Sequence, residues 1–535
     1  MSVVNTYDAL VVGAGMAGLT AASYLAKAGL EVLVCERAQK PGGLVTDFVH
    51  QGFHFDAGLR AVENSGVIRP MLRDLGIKLE FIANPVSIRI GDRMIRLDKA
   101  GLNDYGGMLT RIFPENADDI QAILQEIQRV MNIMDVLYGI DNPLFLNAKI
   151  DPQYLLHTLL PWLLRYQMNI RKIKRYRFPI EQFLSKLTSN QALIDMIAQH
   201  FFRNTPSFFA LSYFGLYMDY MYPKGGTGAL SRVMTDFVSS HGGEISCGTE
   251  VVRIDPAMRT AAFMDGRTVH YNKLIWAADT KSLYRAARAP LNADPGYRVQ
   301  ADLVAGGRGG DSVLSVFLEL DLDPAEIAEA FGAHCFYTPS TAGLSSLGLD
   351  SWTKAGNVSD DARQEMLEDW LRQYFALTTY EISCPAIRDT ALAPKKQTGL
   401  IVSTLFNIDL VRQIKQSGWY QRFKELSMQQ ILMQMEKALP GISKYLLDSM
   451  CASPLTIERL TGNSDGAITG WSFTNPIPAE SRFQKIASSV RTPIPHVYQA
   501  GQWTFSPSGL PVSVMTGKLA ADAAMKGLTR EKHDS

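Results

Sequence analysis

The residue types best suited to chemistry stand near the start of the chain, where glycines at fixed spacing precede an acidic residue. Gly13-Ala14-Gly15-Met16-Ala17-Gly18 is a GxGxxG motif, and Glu36 follows Gly18 by eighteen positions. Such glycines let backbone N–H groups approach a pyrophosphate, and a carboxylate at this distance binds both hydroxyls of a ribose. The pattern indicates a dinucleotide site that disfavours a 2′-phosphate, whereas the alternative is a plain glycine-rich turn.

The elements around the motif are those that a dinucleotide site requires. The apolar run ALVV before Gly13 predicts a buried strand, and the apolar spacing from Leu19 to Ala26 predicts a helix that ends near Gly29. The segment LEVLVCE predicts a second strand that ends at Glu36. This order of strand, turn, helix and strand favours dinucleotide binding, with the helix N-terminus directed at the phosphates.

Two further segments bear on which dinucleotide is bound. Gly42 and Gly43 follow Pro41. The pair suits another close backbone approach, as a longer ligand such as FAD requires, but it is equally typical of a Pro-Gly turn. Residues 496–525 predict a strand, a loop reading SPSGLP and a helix that starts near Pro511. Such a helix directs its positive end at the pyrimidine edge of a flavin, where negative charge develops on reduction.

These segments carry a resemblance to a known family. The chain resembles the phytoene desaturase, carotenoid isomerase and retinol saturase family of flavoproteins, within the wider flavin amine oxidase-like fold group. The segments that match are VVGAGMAGL, VCERAQKPGG and FHFDAG at the start, YPKGGTGAL, GGEISCGTEVVRID and LIWAADT in the middle, and VYQAGQWTFSPSGLPVSVMTGKLAA at the end. They cover about the first 60 residues, about 220–282 and about 490–525.

The resemblance implies FAD, bound without a covalent link, and it implies which residues hold it. Carried over by position, these are Gly13, Gly15, Met16 and Ala17 at the pyrophosphate, Glu36 at the adenosine ribose, Gly43, Leu44 and Val45 on the flavin side, Val251 at the adenine, and Gly501, Gln502, Pro511, Val512 and Met515 at the ribityl chain and flavin ring, with Arg37 and Gly58 as further cofactor-binding residues.

Two of these positions depart from the family pattern. Leu44 stands where the family often has Arg, and Gln502 stands where it often has Asp. An amide still hydrogen-bonds a ribityl hydroxyl, so FAD remains the expected cofactor. The departures leave open which subfamily the chain resembles most.

The segment FDAGLRAVENSG, residues 55–66, follows the part that approaches the reacting face of the flavin in this family, and it contains two candidate catalytic residues. Glu63 is a candidate proton acceptor, with a raised pKa if it is buried. Arg60 is a candidate for binding a carboxylate or a charged intermediate, which favours a lipid with an acidic head group. The alternative is an Arg60–Glu63 ion pair at a helix start, with Asn64 and Ser65 as caps.

The expected fold is of the α/β class with discontinuous domains. A Rossmann-like FAD-binding domain is expected from residues 1–85, 220–290 and 490–535, and a helical, membrane-associating insertion over residues 86–219. A substrate domain with a mixed sheet capped by helices is expected over residues 291–489, where DSVLSVFLELDL reads as an alternating strand.

A basic and apolar stretch stands in the helical insertion. Residues 152–180 contain no acidic residue, and residues 160–177 contain six Lys or Arg among bulky apolar side chains. The aromatic residues expected to act as interfacial anchors are Trp162, Tyr166, Tyr176 and Phe178. The stretch predicts peripheral membrane association, whereas the alternative is a solvated helix face or arginine stems that cover a core.

The bulk composition limits the remaining classes of function. The chain has 53 basic and 53 acidic residues, which argues against nucleic acid as the main partner. Five scattered cysteines and an N-terminus unlike a signal peptide favour the cytoplasm, at the cytoplasmic face of a membrane. Because His50 and His54 lack companion ligands in the sequence, no metal site is expected.

We therefore expect an FAD-dependent oxidoreductase that desaturates or saturates carbon–carbon bonds of a lipophilic polyene, isoprenoid or fatty-acyl-like substrate. A redox-neutral cis/trans isomerase of a polyene lipid is the main alternative. A flavin amine oxidase and a non-enzymatic lipid escort are further alternatives. Because a second GxGxxG motif is absent, the expected electron partner is oxygen, a quinone or a redox protein.

Overall fold

The structure is a computed structural model that describes residues 5–97, 101–146, 155–287, 295–348, 359–474 and 476–534. Its two main sheets have seven strands each. The strands are β1 (Thr6–Val12), β2 (Val32–Glu36), β3 (Asp47–His50), β4 (Phe53–Asp56), β5 (Phe81–Ala83), β6 (Val86–Ile90), β7 (Arg93–Leu97), β8 (Met221–Pro223), β9 (Glu244–Cys247), β10 (Val251–Asp255), β11 (Thr260–Phe263), β12 (Thr268–Trp276), β13 (Ser312–Leu320), β14 (His334–Thr338), β15 (Tyr380–Ser383), β16 (Thr398–Phe406), β17 (Leu446–Ala452) and β18 (Val497–Gln499).

Helices surround both sheets, and short 3-10 turns join several of them. The α-helices are α1 (Met16–Lys27), α2 (Ile68–Leu75), α3 (Gly101–Ile112), α4 (Ala117–Tyr138), α5 (Leu160–Ile170), α6 (Ile180–Leu184), α7 (Gln191–Ala198), α8 (Ser207–Tyr217), α9 (Gly228–Ser240), α10 (Thr280–Ala286), α11 (Pro295–Gly306), α12 (Pro324–Ala330), α13 (Asp360–Leu377), α14 (Pro385–Arg388), α15 (Ile408–Gln416), α16 (Tyr420–Ala438), α17 (Pro454–Thr461), α18 (Ile486–Ser489) and α19 (Leu510–Asp534).

The first sheet gathers strands from three distant parts of the chain. Its order is β10-β11-β12-β1-β2-β9, and β18 pairs with β12. Strand β1 lies parallel to β2 and β12, and its residues from Ala9 to Val12 are buried. An apolar run without alternation suits a parallel strand with both faces covered, and here α1 and α19 pack against each other beside it. The end of β1 carries the glycine motif.

The second sheet has the order β17-β13-β16-β15-β14-β6-β7, and its pairing is antiparallel except between β14 and β6. Strands β6 and β7 lie at residues 86–97, at the start of the range expected to form a helical insertion. They form a hairpin because VSIRI and RMIRL alternate apolar and polar residues around the turn at Gly91. The expected boundary between residues 290 and 291 falls outside the described residues.

A helical layer follows these strands from α3 to α8. Helix α4 buries the apolar face that its sequence predicts, through Ile120, Ile123, Ile127 and Val130. Within the described ranges, every helix lacks either the length or the apolar content that crossing a bilayer requires.

The hairpin β3–β4 joins the two sheets. Its Phe48 and Phe55 rings pack on Phe317 of β13, with ring centroids 5.1 Å and 5.4 Å apart. The chain leaves this hairpin at Asp56 and runs directly into the segment with Arg60 and Glu63. The contact therefore positions that segment between the two sheets.

Candidate active site

The glycine motif forms the turn between β1 and α1. Gly13 has φ of +98°, and its N–H donates to the Cys35 carbonyl oxygen at 2.8 Å. A Cβ at Gly18 would lie 1.9 Å from the Gly13 carbonyl oxygen, so α1 approaches the turn only because glycine stands there. A Cβ at Gly15 would have no atom within 4 Å. Gly15 thus faces open space at the N-terminus of α1, just before Met16 and Ala17.

The Glu36 carboxylate is held beside this turn by backbone donors. Its Oε2 accepts from the Ala14 N–H and its Oε1 from the Ala38 N–H, each at 2.8 Å. The Thr249 N–H donates to the Glu36 carbonyl oxygen at 2.8 Å, which brings the start of β10 to the same end of the sheet. Buried Val251 begins β10. The two residues predicted for the adenosine end therefore lie on neighbouring segments.

Arg37, the residue after Glu36, contacts a segment that is distant in the chain. Its guanidinium donates to the Arg459 carbonyl oxygen at 2.6 Å. It also lies against Gly462, where a Cβ would come within 2.8 Å of the guanidinium carbon. Arg37 thus joins the end of β2 to the C-terminal end of α17.

The glycine pair lies directly against the glycine motif. The Gly42 N–H donates to the Ala14 carbonyl oxygen at 2.8 Å, and Gly42 forms an isolated bridge with Gly15. Gly42 and Gly43 have φ of +122° and +60°. Gly43 and Gly15 therefore border the same open space, as a ligand that spans both segments requires.

The chain after the pair crosses the segment that leads to Glu63. The Leu44 carbonyl oxygen accepts from the Leu59 N–H at 2.9 Å, and a Cβ on Gly58 would lie 2.3 Å from that oxygen. Val45 is buried beside this crossing. Only glycine at position 58 permits it.

The C-terminal segment closes the site from the other side. Gly501, with φ of +100°, donates its N–H to the Thr516 hydroxyl at 2.9 Å, and a Cβ on Gly501 would lie 3.3 Å from the Ala17 Cβ. A Cβ on Gly517 would lie 2.4 Å from the Ala17 carbonyl oxygen. Helix α19 therefore packs on the first turn of α1 through glycine.

The remaining residues of the C-terminal prediction surround the start of α19. Pro511 is buried in its first turn, and the Val512 carbonyl oxygen accepts from the Thr516 hydroxyl at 2.8 Å. The Met515 sulfur lies 3.7 Å from the Asn142 side-chain nitrogen. The half-buried Gln502 follows Gly501.

These segments fit FAD. The N-cap of α1 is Gly15, which has no side chain to cap the first N–H groups of the helix, and the space where its Cβ would stand is open. The buried hydroxyls of Thr504 and Ser508, just before α19, have no hydrogen-bond partner in the described part of the chain. The N-terminus of α1 suits the pyrophosphate, Glu36 suits the ribose, and the N-terminus of α19 suits the flavin ring.

Glu63 lies at the start of α19. Its Oε1 would be 3.4 Å from a Cβ on Gly509. The side chain is half-buried, and burial raises the pKa of Glu63 to about 7. Among the described residues it has no ion pair or hydrogen bond, so the alternative of an Arg60–Glu63 pair is not what forms. Asn64 does cap locally, because its Oδ1 accepts from the Arg69 N–H at 3.0 Å.

Arg60 is buried in a polar network between the hairpin β3–β4 and the second sheet. It donates to the Asp56 carbonyl oxygen and, at 3.2 Å, to the Ser403 hydroxyl. Burial lowers the pKa of Arg60, and the charges of Glu381 and Asp56 oppose that shift. The Arg388 guanidinium donates to the Arg60 carbonyl oxygen at 3.2 Å. These contacts hold the Arg60 side chain against the hairpin β3–β4 and the second sheet.

Three tyrosines lie close enough to Glu63 to feel its charge. Burial raises the pKa values of Tyr138, Tyr213 and Tyr220, and the negative charge of Glu63 raises each of them further. The Tyr213 ring also lies 5.2 Å from that of Phe209. The sequence feature that could have indicated this cluster is the presence of four tyrosines within residues 213–222.

The basic stretch forms an exposed surface. A π-helical turn, Leu155–Leu159, leads into α5, in which every residue is at least partly exposed. One face carries exposed apolar side chains, and these are Leu156, Leu160, Leu163, Leu164 and Met168. Residues 152–154 of the predicted membrane stretch lie outside the described residues. We call these five side chains the α5 apolar face.

Three of the four predicted aromatic anchors point inward instead of outward. The Trp162 indole donates to the Val136 carbonyl oxygen at 2.6 Å, and Tyr166 packs on Trp162 with ring centroids 5.0 Å apart. Tyr176 is buried and donates to Glu126 at 2.7 Å, which Arg175 also contacts at 3.0 Å. Aromatic rings with one polar atom bury well when that atom finds a partner. Four leucines and Met168 therefore form the exposed face.

Comparison with known proteins agrees with this geometry. The sequence model of the family described as flavin containing amine oxidoreductase matches residues 16–330. An all-trans-retinol 13,14-reductase of Danio rerio is 24% identical, over 92% of this chain and 82% of its own. A chloroplastic prolycopene isomerase of Daucus carota is 23% identical, over 86% and 71%. A phytoene dehydrogenase of Streptomyces griseus is 24% identical, over 96% and 94%.

Solved structures share the fold. A cyclohexylamine oxidase from Brevibacterium oxydans superposes with a TM-score of 0.59 at 12% identity, covering 98% of this chain and 100% of the other. At this identity the likeness concerns the fold alone.

Proposed function

The chain belongs to the flavin containing amine oxidoreductase family and is an FAD-dependent oxidoreductase, and from this premise we propose that it acts on carbon–carbon bonds of a lipophilic polyene or isoprenoid. The observation that carries the proposal is the position of Glu63, a carboxyl among aromatic rings at the N-terminus of α19. We further propose that the substrate is exchanged with a membrane surface through the α5 apolar face.

The protein's own residues bind and orient the reactants. When bound, FAD supplies the two-electron chemistry at carbon. Gly15 and the first turn of α1 would hold the pyrophosphate, and Glu36 would hold the ribose. The N-terminus of α19 would present positive partial charge to the flavin ring, and Glu63 lies at the start of that helix.

Glu63 handles the proton. A desaturation removes a hydride from one carbon, for which bound FAD would be the acceptor, and a proton from the neighbouring carbon. The ionised Glu63 carboxylate accepts that proton, and a pKa of about 7 suits a base that works near neutral pH. Saturation in the reverse direction requires the protonated Glu63 as donor. The same residue therefore serves both directions with opposite pH dependence.

The wall around Glu63 favours an apolar, conjugated substrate. Tyr213 and Tyr220 stand near the carboxyl, and the Tyr220 ring lies 5.6 Å from that of Tyr217. Flat aromatic side chains bury much apolar area and pack well against other flat groups. The relatives named for retinol, prolycopene and phytoene support a substrate of this kind.

The α5 apolar face supports peripheral docking on the cytoplasmic side of a membrane. Leu156 and Leu164 each expose 63% of their surface, and Met168 exposes 61%. Arg165, Arg171, Lys172 and Lys174 are exposed along the same segment, where an anionic leaflet attracts each Lys or Arg by about 1 kcal/mol. All five cysteines are free thiols, which suits a reducing compartment.

A redox-neutral isomerase is the second candidate. The Daucus carota relative is named a prolycopene isomerase, and its match covers 86% of this chain. Glu63 at a pKa of about 7 can both give and take back a proton. Isomerisation leaves the mass of the lipid unchanged, which distinguishes it from the first candidate.

The deciding experiment is anaerobic. The FAD-loaded protein is added to vesicles that contain polyenes, retinoids or unsaturated fatty acids. Flavin absorbance is followed, and the mass of the extracted lipid is measured by mass spectrometry. Flavin bleaching with loss of two hydrogens establishes desaturation. Conversion only after chemical reduction of the flavin indicates saturation if two hydrogens are gained and isomerisation if the mass is unchanged. Failure to convert any of these lipids, with the flavin either oxidised or reduced, would overturn the proposal.

A further inference from the structure

The hairpin β3–β4 carries a histidine into contact with a buried carboxylate of the second sheet. Glu319 stands two positions after Phe317 on β13, so both side chains point to the face that the hairpin covers. The His50 Nδ1 lies 2.6 Å from the Glu319 Oε1. This pair stands at the edge of the apolar contact between Phe48 and Phe317.

Glu319 is poorly compensated by the protein alone. Its side chain is fully buried, and its Oε2 has no hydrogen-bond partner in the described part of the chain. A buried carboxylate oxygen without a partner is costly. Asp448 on β17 is its direct register partner, and like charges opposite each other on neighbouring strands repel. Even a protonated His50 would bring only one positive charge, which does not balance the two carboxylates of Glu319 and Asp448.

The backbone is irregular at this position. The pairing of β13 with β17 shifts register between Glu319 and Leu320, immediately beside Asp448. Such bulges re-aim side chains. The Asp448 carboxylate accepts from the Ser449 N–H at 2.7 Å and from the Gln51 amide at 3.2 Å. One ligand atom from each of His50, Glu319 and Asp448 lies within 4.8 Å of the others.

We propose that His50, Glu319 and Asp448 bind a divalent first-row transition-metal ion such as Zn²⁺, which clamps the hairpin β3–β4 to the second sheet. One imidazole nitrogen with two carboxylate oxygens suits such an ion, whereas Mg²⁺ prefers oxygen ligands throughout. The ion replaces the His50–Glu319 hydrogen bond, uses the free Glu319 oxygen and separates the facing carboxylates. His50 and Asp448 are partly exposed, so water completes the coordination.

The site has a structural role that does not depend on the proposed function. The hairpin continues through Asp56 into Gly58 and Glu63, so a clamp at His50 fixes the start of that segment. The sequence did not reveal the group, because its three members stand on strands that are distant in the chain.

The test uses the FAD-loaded protein after removal of metal by a chelator. We expect titration calorimetry with ZnCl₂ to show one equivalent bound, MgCl₂ to show none, and Zn²⁺ to raise the Tm. His50→Ala should weaken the affinity at least about tenfold, since even partners of metal ligands contribute about that much. His54→Ala changes the other histidine of the same hairpin and should bind Zn²⁺ as the wild type does.

A second variant keeps the test decisive. Asp448→Asn changes a partly exposed ligand with little change in volume, and it replaces His50→Ala if that variant does not fold. The absence of stoichiometric Zn²⁺ binding by the wild type, or wild-type affinity in either ligand variant, would overturn the proposal.

Discussion

Gly43 lies against Gly15, so that a Cβ on Gly43 would come within 3.2 Å of the Gly15 Cα. Two glycine segments separated by the whole of α1 and β2 therefore border one cradle. The contact depends on the positive φ of Gly43, which other residues adopt only with strain. This geometry identifies positions at which a substitution should weaken FAD binding and leave the fold intact.

Gly15→Ala should fold normally and lose FAD. Its Cβ meets no protein atom within 4 Å, but it enters the space that the pyrophosphate requires. Loss of a hydrogen bond to a charged group, about 1.5–3 kcal/mol, corresponds to an affinity at least about tenfold lower. Flavin absorbance per protein measures this. The control is Gly107→Ala in α3, where a Cβ also meets open space. Full flavin content in Gly15→Ala would contradict the assignment of Gly15 to the pyrophosphate.

Glu36→Ala should give nearly colourless protein that is also less stable. The change removes the proposed ribose acceptor and leaves the Ala14 and Ala38 N–H groups without their partner, at up to about 1–3 kcal/mol for each donor if water does not replace it. Glu36→Gln keeps one acceptor oxygen and should retain more flavin. Thermal unfolding with and without added FAD separates the two effects. Equal flavin content in all three proteins would refute the role of Glu36.

Glu63→Gln should abolish desaturation while FAD remains bound. In the wild type, the oxidative rate should rise with pH through about 7, because the carboxylate form accepts the proton. A reductive enzyme should instead lose activity above that pH. Rates measured from pH 5 to 9 in both directions test this. A pH-independent rate near 7 would show that Glu63 does not handle the proton.

The same residue should make folding depend on pH. The pKa of Glu63 is about 7 in the folded protein against 4.5 for an ordinary glutamate, so the folded protein holds a proton that the unfolded chain releases. This contribution to stability is present below about pH 4.5 and is lost as pH rises toward 7. Glu63→Gln should therefore gain Tm relative to the wild type at pH 8 and not at pH 4. Parallel Tm curves would contradict the raised pKa.

The α5 apolar face should drive vesicle binding. Replacing Leu160, Leu163 and Leu164 by Ser should abolish co-sedimentation with anionic vesicles and leave flavin content unchanged, because these side chains are exposed. Leu447→Ser is the control, since Leu447 on β17 is exposed to the same 52% as Leu160.

A charge variant completes the vesicle experiment. Replacing Arg165, Arg171, Lys172 and Lys174 by Ser should weaken binding to anionic vesicles and make it insensitive to salt. Arg175 is left in place because it pairs with Glu126. Unchanged binding by both the apolar and the charge variant would exclude this surface.

Sequence patterns predicted those parts of the site that depend on residues adjacent in the chain. The strand, turn and helix around Gly13 and Gly18 follow from adjacent residues, and so does the buried face of α4. The pairing of strands that are distant in the chain could not be predicted from such patterns. Strands β6 and β7 join the second sheet through a parallel partner, β14, more than 200 residues later. Likewise, only the folded hairpin brings His50 beside Glu319.

Aromatic residues show a further limit of the sequence pattern. Trp162 and Tyr176 stand in a basic, apolar stretch, and composition alone favours their exposure at an interface. Their polar atoms instead find the Val136 carbonyl and Glu126, both on α4. A sequence does not show which partners lie within reach, and these hydrogen bonds decide the direction of the rings.

The pairing of β12 with β18 has a consequence for synthesis. Val497 of β18 pairs with Leu274 of β12, and α19, which follows β18 in the chain, packs on α1. A ribosome adding 5–20 residues per second needs about 25–100 s between the completion of β1 and the appearance of β18. Until then the segments that would hold FAD are incomplete, and the edge of β12 that pairs with β18 stays open.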